Sequence, residues 1–157
     1  MKKFEMKHFY REFEVDCDVD KVWKFYTNIR HLEVISPEEI KLNLIHCSDE
    51  ILKKGSVACF SGKLIINAKW CSRITFFEKY EYVDEMVRYE NRDPPFKIWK
   101  HRHTFKEMNY HKTGVMDQIQ FELPYGILGK VLESFVVFQI GNIFNHRKLM
   151  TIEHLGS

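Results

Sequence analysis

Pro94-Pro95-Phe96-Lys97-Ile98-Trp99-Lys100-His101-Arg102-His103-Thr104-Phe105 opens on two prolines and then alternates. Successive side chains on a strand point to opposite faces, so Trp99, His101, His103 and Phe105 share one face and Lys100, Arg102, Thr104 and Lys106 the other. Two histidines therefore stand on the apolar side of a strand. An imidazole among rings is either a satisfied core group or a polar group in the wall of a cavity.

The strand at 114–122 alternates Val115, Asp117, Ile119 and Phe121 against Met116, Gln118, Gln120 and Glu122. Closing the two strands around a turn near Tyr110 sets Phe105 opposite Val115, His103 opposite Asp117, His101 opposite Ile119 and Trp99 opposite Phe121. Asp117 points inward, where a carboxylate needs a partner, and a histidine within reach is the obvious one. In this register the partner is His103; a slip of two residues makes it His101. Such a pair can fix strand register, hydrogen-bond a ligand's carbonyl or hydroxyl, or orient an imidazole for acid–base work. His-x-His with Asp117 offers three metal-ligand side chains, but no other motif supports a metal, so neither metal nor cofactor is expected.

Outward from these strands, residues 3–15 alternate as a first strand, with Phe4, Met6, His8 and Tyr10 against Phe9, Arg11 and Phe13 and with Val15 closing it. From Asp18 to about Asn28, Val19, Val22, Trp23 and Tyr26 recur at helical spacing behind an Asp cap. A second short helix from Ile29 ends near Ile35, because the residue before Pro37 is pushed out of the helical region. Strands follow at about 39–47, 56–68, 69–79 and 82–91, divided by Gly55 and by Asn67-Ala68. The gaps are too short for parallel crossovers, so the strands form an antiparallel meander. After Pro124-Tyr125-Gly126, residues 129–151 read as one long helix with Val131, Leu132, Phe135, Val136, Phe138, Ile140, Ile143 and Phe144, and Gly141 as a mild breaker marking a bend or a close contact.

The fold class is thus α+β: a curved seven-stranded antiparallel sheet wrapping a long C-terminal helix, with two short helices after the first strand. At 157 residues the chain forms a single domain over 1–157. A strongly bent sheet is not filled by one helix, and a cavity between them is the natural result.

Composition narrows the function. Hydrophobic residues make up 45% and aromatics 15%, which excludes disorder and leaves an excess of rings to explain. With a net charge of +2 and the cations scattered, there is no footprint for nucleic acid. The N-terminus carries Lys2, Lys3, Glu5, His8 and Arg11 instead of an apolar leader, and no stretch reads as a membrane span, so a cytoplasmic location is expected. Cys17, Cys47, Cys59 and Cys71 lack zinc or redox spacing and are expected to be free thiols. Phosphate loops, dinucleotide fingerprints, nucleophile elbows and His-Glu-x-x-His are missing.

Pro95-Phe96 with Trp99-x-His101-x-His103-x-Phe105, Asp117-x-x-x-Phe121-x-x-Pro124-x-Gly126-x-x-Gly129 and Ile143-Phe144-x-x-Arg147 resemble the START and polyketide cyclase/dehydrase superfamily, SRPBCC, with its helix-grip fold. Val22-Trp23-x-Phe25-Tyr26 followed by Ser36-Pro37 is similar to that family's first helical pair. The resemblance implies a deep, mostly apolar pocket between sheet and C-terminal helix, of the kind that holds lipids, sterols or polyketides. Two positions depart from the pattern: Gly-Pro before the phenylalanine is here Pro94-Pro95, and the acidic residue often found on the preceding strand falls at Tyr89. A less polar pocket floor is therefore expected.

The ligand-binding set expected from these readings is Trp70, Trp99, His101, His103, Phe105, Asp117, Ile119, Phe121, Phe135, Ile143 and Arg147. The leading function is binding of a small hydrophobic molecule without catalysis. The first alternative is a cyclase/dehydrase-type lyase using a His–Asp pair, and the second is a protein-interaction or regulatory module. A homodimer is left open.

Overall fold

A computed structural model of the protein describes residues 6–63 and 66–156. Strand β1 (Lys7–Val15) leads to helices α1 (Val19–Tyr26) and α2 (His31–Val34). Strands β2 (Asn43–Cys47), β3 (Val57–Lys63), β4 (Asn67–Glu78), β5 (Glu81–Val87), β6 (Ile98–Asn109) and β7 (Lys112–Glu122) precede helix α3 (Gly126–Leu155). The seven strands form one antiparallel sheet in the order β1-β7-β6-β5-β4-β3-β2. Six strands run as a meander and β1 returns beside β7. This is the expected helix-grip architecture.

Two cores hold it together. Val19, Val22 and Phe25 face inward from α1, and Val19 and Val22 join Val15, Phe60, Trp70, Tyr82, Phe105 and Val115 of the sheet. At the other end of the same face Val136, Ile140 and Phe144 of α3 pack on Phe9, Ile119 and Phe121. A side chain of this size contributes roughly 1.5–3 kcal/mol when fully buried, so these two contacts fix where the helices lie on the sheet.

Several local readings shift. Residues 3–5 of the expected first strand, with Phe4, lie outside the described residues. The segment expected as strand from 39 instead makes a 3-10 turn at Glu38–Ile40, and Lys41 closes it at φ 48°, so β2 begins at Asn43. Asn67 and Ala68 are not the turn: they pair in the ladder with Lys63 and Gly62, and the expected strand residues 64 and 65 lie outside the described residues. The strand expected at 82–91 stops at Val87, because Glu90 and Asn91 adopt φ of 47° and 61° in a tight turn bridged by Tyr89 and Arg92. Asp18 precedes α1 but caps it only through its carbonyl, which accepts the Lys21 and Val22 N–H groups. Its carboxylate sits 2.8 Å from His111 Nδ1.

The register also corrects the expectation of four free thiols. Cys59 pairs directly with Cys71 across β3 and β4, and the two form a disulfide, leaving Cys17 and Cys47 free. The bond lies beside Val57, Val87 and Tyr89. Disulfides persist in oxidising compartments, so a reducing location is no longer supported by the cysteines.

Helix α3 runs three residues further toward the N-terminus than expected and passes through Gly141 unbroken. By length and composition it is apolar enough to cross a membrane, with a mean hydropathy of 1.5 over its most apolar 18 residues, contrary to the expectation that no segment would be. Its inner stripe, Val136, Ile140, Phe144 and Thr151, is buried against the fold, as a core helix requires. The first half also carries Ile127, Leu128, Val131 and Phe138, each at least 60% exposed.

The two helical glycines answer to different constraints. A Cβ on Gly129 would sit 2.4 Å from the Pro124 carbonyl oxygen, whereas on Gly141 its nearest neighbour is the flexible end of Arg11 at 3.6 Å. Gly141→Ala is expected to stabilise the protein by up to about 1 kcal/mol through helix propensity, and Gly129→Ala to destabilise it, both read by urea unfolding. Thiol alkylation under denaturing conditions should label two cysteines before reduction and four after.

Candidate functional site

The site starts from the alternation of β6, which sets His101 and His103 side by side on the inner face with ring centroids 3.6 Å apart. Strand β7 places Asp117 opposite His103, as the sequence predicts, and β5 places Asp84 opposite His101. The hydrogen bonds run along the diagonals. His101 Nε2–H donates to Asp117 Oδ1 at 2.7 Å, and His103 Nε2–H donates to Asp84 Oδ2 at 2.7 Å. Both alternatives for the Asp117 partner are thus partly realised: the backbone register belongs to His103 and the hydrogen bond to His101. Diagonal neighbours on a sheet face remain within reach of long or ring-bearing side chains.

The second nitrogen of each ring faces the other carboxylate at a longer distance. His101 Nδ1 is 3.6 Å from Asp84 Oδ2, and His103 Nδ1 is 3.5 Å from Asp117 Oδ1. His103 Nδ1 is buried without a hydrogen-bond partner. Tyr82 stacks on His103 at 4.1 Å, and Phe144 meets His101 at 5.4 Å, edge to face. The result is a four-residue box of two imidazoles and two carboxylates, walled by rings.

Burial alone would raise the Asp84 and Asp117 carboxyls. The hydrogen bond from a histidine to each, with the charges of both imidazoles and Arg147, outweighs it and holds both below the usual carboxylate range. Burial and the neighbouring His101 push His103 down against the pull of the two carboxylates, so it is neutral near pH 7. Burial, then the nearby carboxylates, push the Tyr26 and Tyr82 phenols up and keep them protonated. Tyr26 shares a 2.6 Å hydrogen bond with Thr151 of α3, and Tyr82 donates to the Tyr26 carbonyl at 3.2 Å. These bonds tie the sheet, α1 and the end of α3 around one space.

That space is a cavity of about 160 Å³ between the sheet and α3. The box forms part of its wall; apolar groups such as Phe60, Ile74, Met86 and Ile140 supply much of the rest. Of the expected ligand-binding residues, Trp70, Trp99, His101, His103, Asp117, Ile143 and Arg147 line it. Phe105 is on the same sheet face but lies beneath α1 against Trp23 and Tyr26. Ile119 and Phe121 are covered by α3 and belong to the second core. Phe135 is 49% exposed, because the inward stripe of α3 falls on Val136, Ile140, Phe144 and Arg147, and one residue's rotation of about 100° carries Phe135 away from it.

Asp84 is absent from the expected set. The preceding strand was expected to lack its acid, with Tyr89 at that place; instead Tyr89 joins the cluster beside the disulfide and the carboxylate arrives at Asp84. The signal was available in the alternation Tyr82, Asp84, Met86, all three of which line the cavity. Asp84, His101 and His103 also offer ligand atoms within 4.8 Å of one another, so a metal-capable group is present among the described residues with Asp84, not Asp117, as its carboxylate.

No family model and no curated protein matches the chain in sequence. Solved structures do match it in fold. A START superfamily protein from Mycobacterium smegmatis superposes with a TM-score of 0.71 at 9% identity, covering 94% of this chain and 96% of that one. An aromatase/cyclase from a Streptomyces species gives 0.66 at 11%, covering 95% and 90%. Norcoclaurine synthase from Thalictrum flavum, in complex with dopamine and hydroxybenzaldehyde, gives 0.65 at 11%, covering 98% and 90%. The chain therefore has the helix-grip fold of START and SRPBCC proteins.

Removing one member of the box leaves its partner buried and uncompensated. Asp117→Ala is expected to cost about 3–5 kcal/mol in urea unfolding, far more than the same change at the exposed Asp16.

Proposed function

We propose that the protein binds a small hydrophobic, ring-bearing molecule in the cavity between the sheet and α3, with the His–Asp box and Arg147 reading a polar group on that molecule. The observation that carries this reading is the joining of an apolar cavity to a dense set of polar groups on one wall. Ligand sites are built this way, apolar for affinity and with few polar groups for orientation.

The size of the space refines the ligand class. An apolar cavity of about 150 Å³ accommodates benzene, and the 160 Å³ here is of that order. Pockets for drug-sized ligands run from about 300 Å³ upward. Sterols and long polyketides therefore require α3 to move, and a compound with one ring and a hydroxyl or carbonyl is the better fit. A fold neighbour whose structure holds dopamine and hydroxybenzaldehyde supports the same size class.

A thermal-shift series of phenol, hydroxybenzaldehyde and a sterol tests the reading. One-ring compounds at a hundredfold over Kd should add about 2.7 kcal/mol of stability, and the sterol none. Failure of every one-ring compound to shift unfolding would count against it.

A second reading, an acid–base lyase, draws on one specific feature: each cavity-lining imidazole is held by a carboxylate, the arrangement that orients a general base. On this reading His101→Gln or His103→Gln abolishes turnover of a bound ring compound while its affinity changes little, and rates equal to those of the unaltered protein would refute it.

A further inference from the structure

The bonding in the box is incomplete in a way that identifies what it takes. A neutral imidazole has one N–H and one lone pair. His101 Nε2 bonds Asp117 Oδ1 at 2.7 Å, and its Nδ1 stands 3.6 Å from Asp84 Oδ2, beyond hydrogen-bond distance. His103 spends its N–H at Nε2 on Asp84, so its Nδ1 lone pair faces Asp117 Oδ1 at 3.5 Å. At His103 an acceptor confronts an acceptor. His103 is 93% buried by its 7% exposure, and its Nδ1 has no hydrogen-bond partner.

Two protons would close both gaps only by making both rings cationic while their centroids are 3.6 Å apart. One divalent cation resolves the arrangement without that repulsion. With the ion bound, His101 would give Nδ1 as a lone pair while Asp117 holds its Nε2–H. If the His103 proton moves from Nε2 to Nδ1, Nδ1–H points at Asp117 Oδ1 and Nε2 becomes a second lone pair beside Asp84. Each imidazole then gives one nitrogen to the ion and the other to Asp117, the carboxylate–histidine–metal relation found around bound metals.

We propose that Asp84, His101 and His103 bind a divalent first-row transition cation, with Asp117 as the carboxylate that orients both imidazoles. Two imidazoles and a carboxylate suit zinc or ferrous iron. Ligand atoms around a tetrahedral zinc with bonds near 2.0–2.1 Å lie about 3.3 Å apart. The Asp84–His103 contact of 2.7 Å must therefore open and the 3.6 Å gap between Asp84 and His101 close, each by a fraction of an ångström, while the three ligand atoms, now within 4.8 Å of one another, draw in around the ion. The ion would also add its charge to that of Arg147 beside the two carboxylates. Because all three ligands line the cavity, the remaining coordination positions face the space a ligand would take. The site stands on the box alone and does not depend on which ring compound, if any, the cavity holds.

The test uses the whole protein, stripped with a chelator and titrated with Co²⁺ and then Zn²⁺. The expected result is uptake of one equivalent of Co²⁺ with visible ligand-field bands, displaced by Zn²⁺. His103→Gln and Asp84→Asn should each weaken uptake by at least a hundredfold, Asp117→Asn by about 10–100-fold, and His8→Gln with His46→Gln, both exposed, should leave it unchanged. If the box variants do not fold, X-ray absorption of the zinc-loaded, unaltered protein gives the ligand set directly: two imidazoles and an oxygen are expected. No uptake, uptake confined to the exposed histidines, or a coordination shell without two imidazoles would overturn the proposal.

Discussion

Two histidines two residues apart on one strand are pinned between carboxylates from both flanking strands, and the rest of the cavity is arranged around that constraint. Each ring is bonded diagonally, so β5, β6 and β7 are cross-linked on their inner face by side chains as well as by their backbone ladders. Leaving any one of the four groups unpaired in this setting is costly. That cost explains why the centre of an otherwise apolar face carries charge at all: the groups stay because they satisfy one another.

The surrounding rings then set the dielectric and the shape. Tyr82 stacks beneath His103, Phe144 closes on His101, and α3 is anchored at its far end by the Tyr26–Thr151 hydrogen bond. The cavity is small because two helices share the sheet. Helix α1 fills the Phe105 and Val115 end, α3 fills the Ile119 and Phe121 end, and the space left falls over the box and toward Trp70. A polar centre in a one-ring space is a restrictive combination, and it is the basis for the ligand class argued above.

How much of this could be read from the chain varies with the local physics. The β6–β7 register was fully legible, because both strands alternate over ten or more residues and a shift by one would turn every side chain to the wrong face. Asp84 was overlooked although its alternation with Tyr82 and Met86 was legible, because the acid was sought at Tyr89, beyond the point where β5 ends at Val87 and the chain turns through left-handed Glu90 and Asn91. The disulfide was missed for a related reason: treating Asn67-Ala68 as the turn moves the β3–β4 register, and Cys59 meets Cys71 only when those residues pair within the ladder. Phe135 shows the limit of helical patterning. A helix apolar on most sides does not reveal its inward stripe until the sheet chooses one.

The central claim is that His101 and His103 are fixed by Asp117 and Asp84 inside the fold. Long-range proton–nitrogen correlation spectra of the imidazoles in metal-free protein test it most directly. The account predicts two slowly exchanging Nε2–H protons, one on each ring, and a His103 that titrates below the ordinary histidine value of about 6.5. Two rings that exchange freely with solvent and titrate together near that value would contradict it.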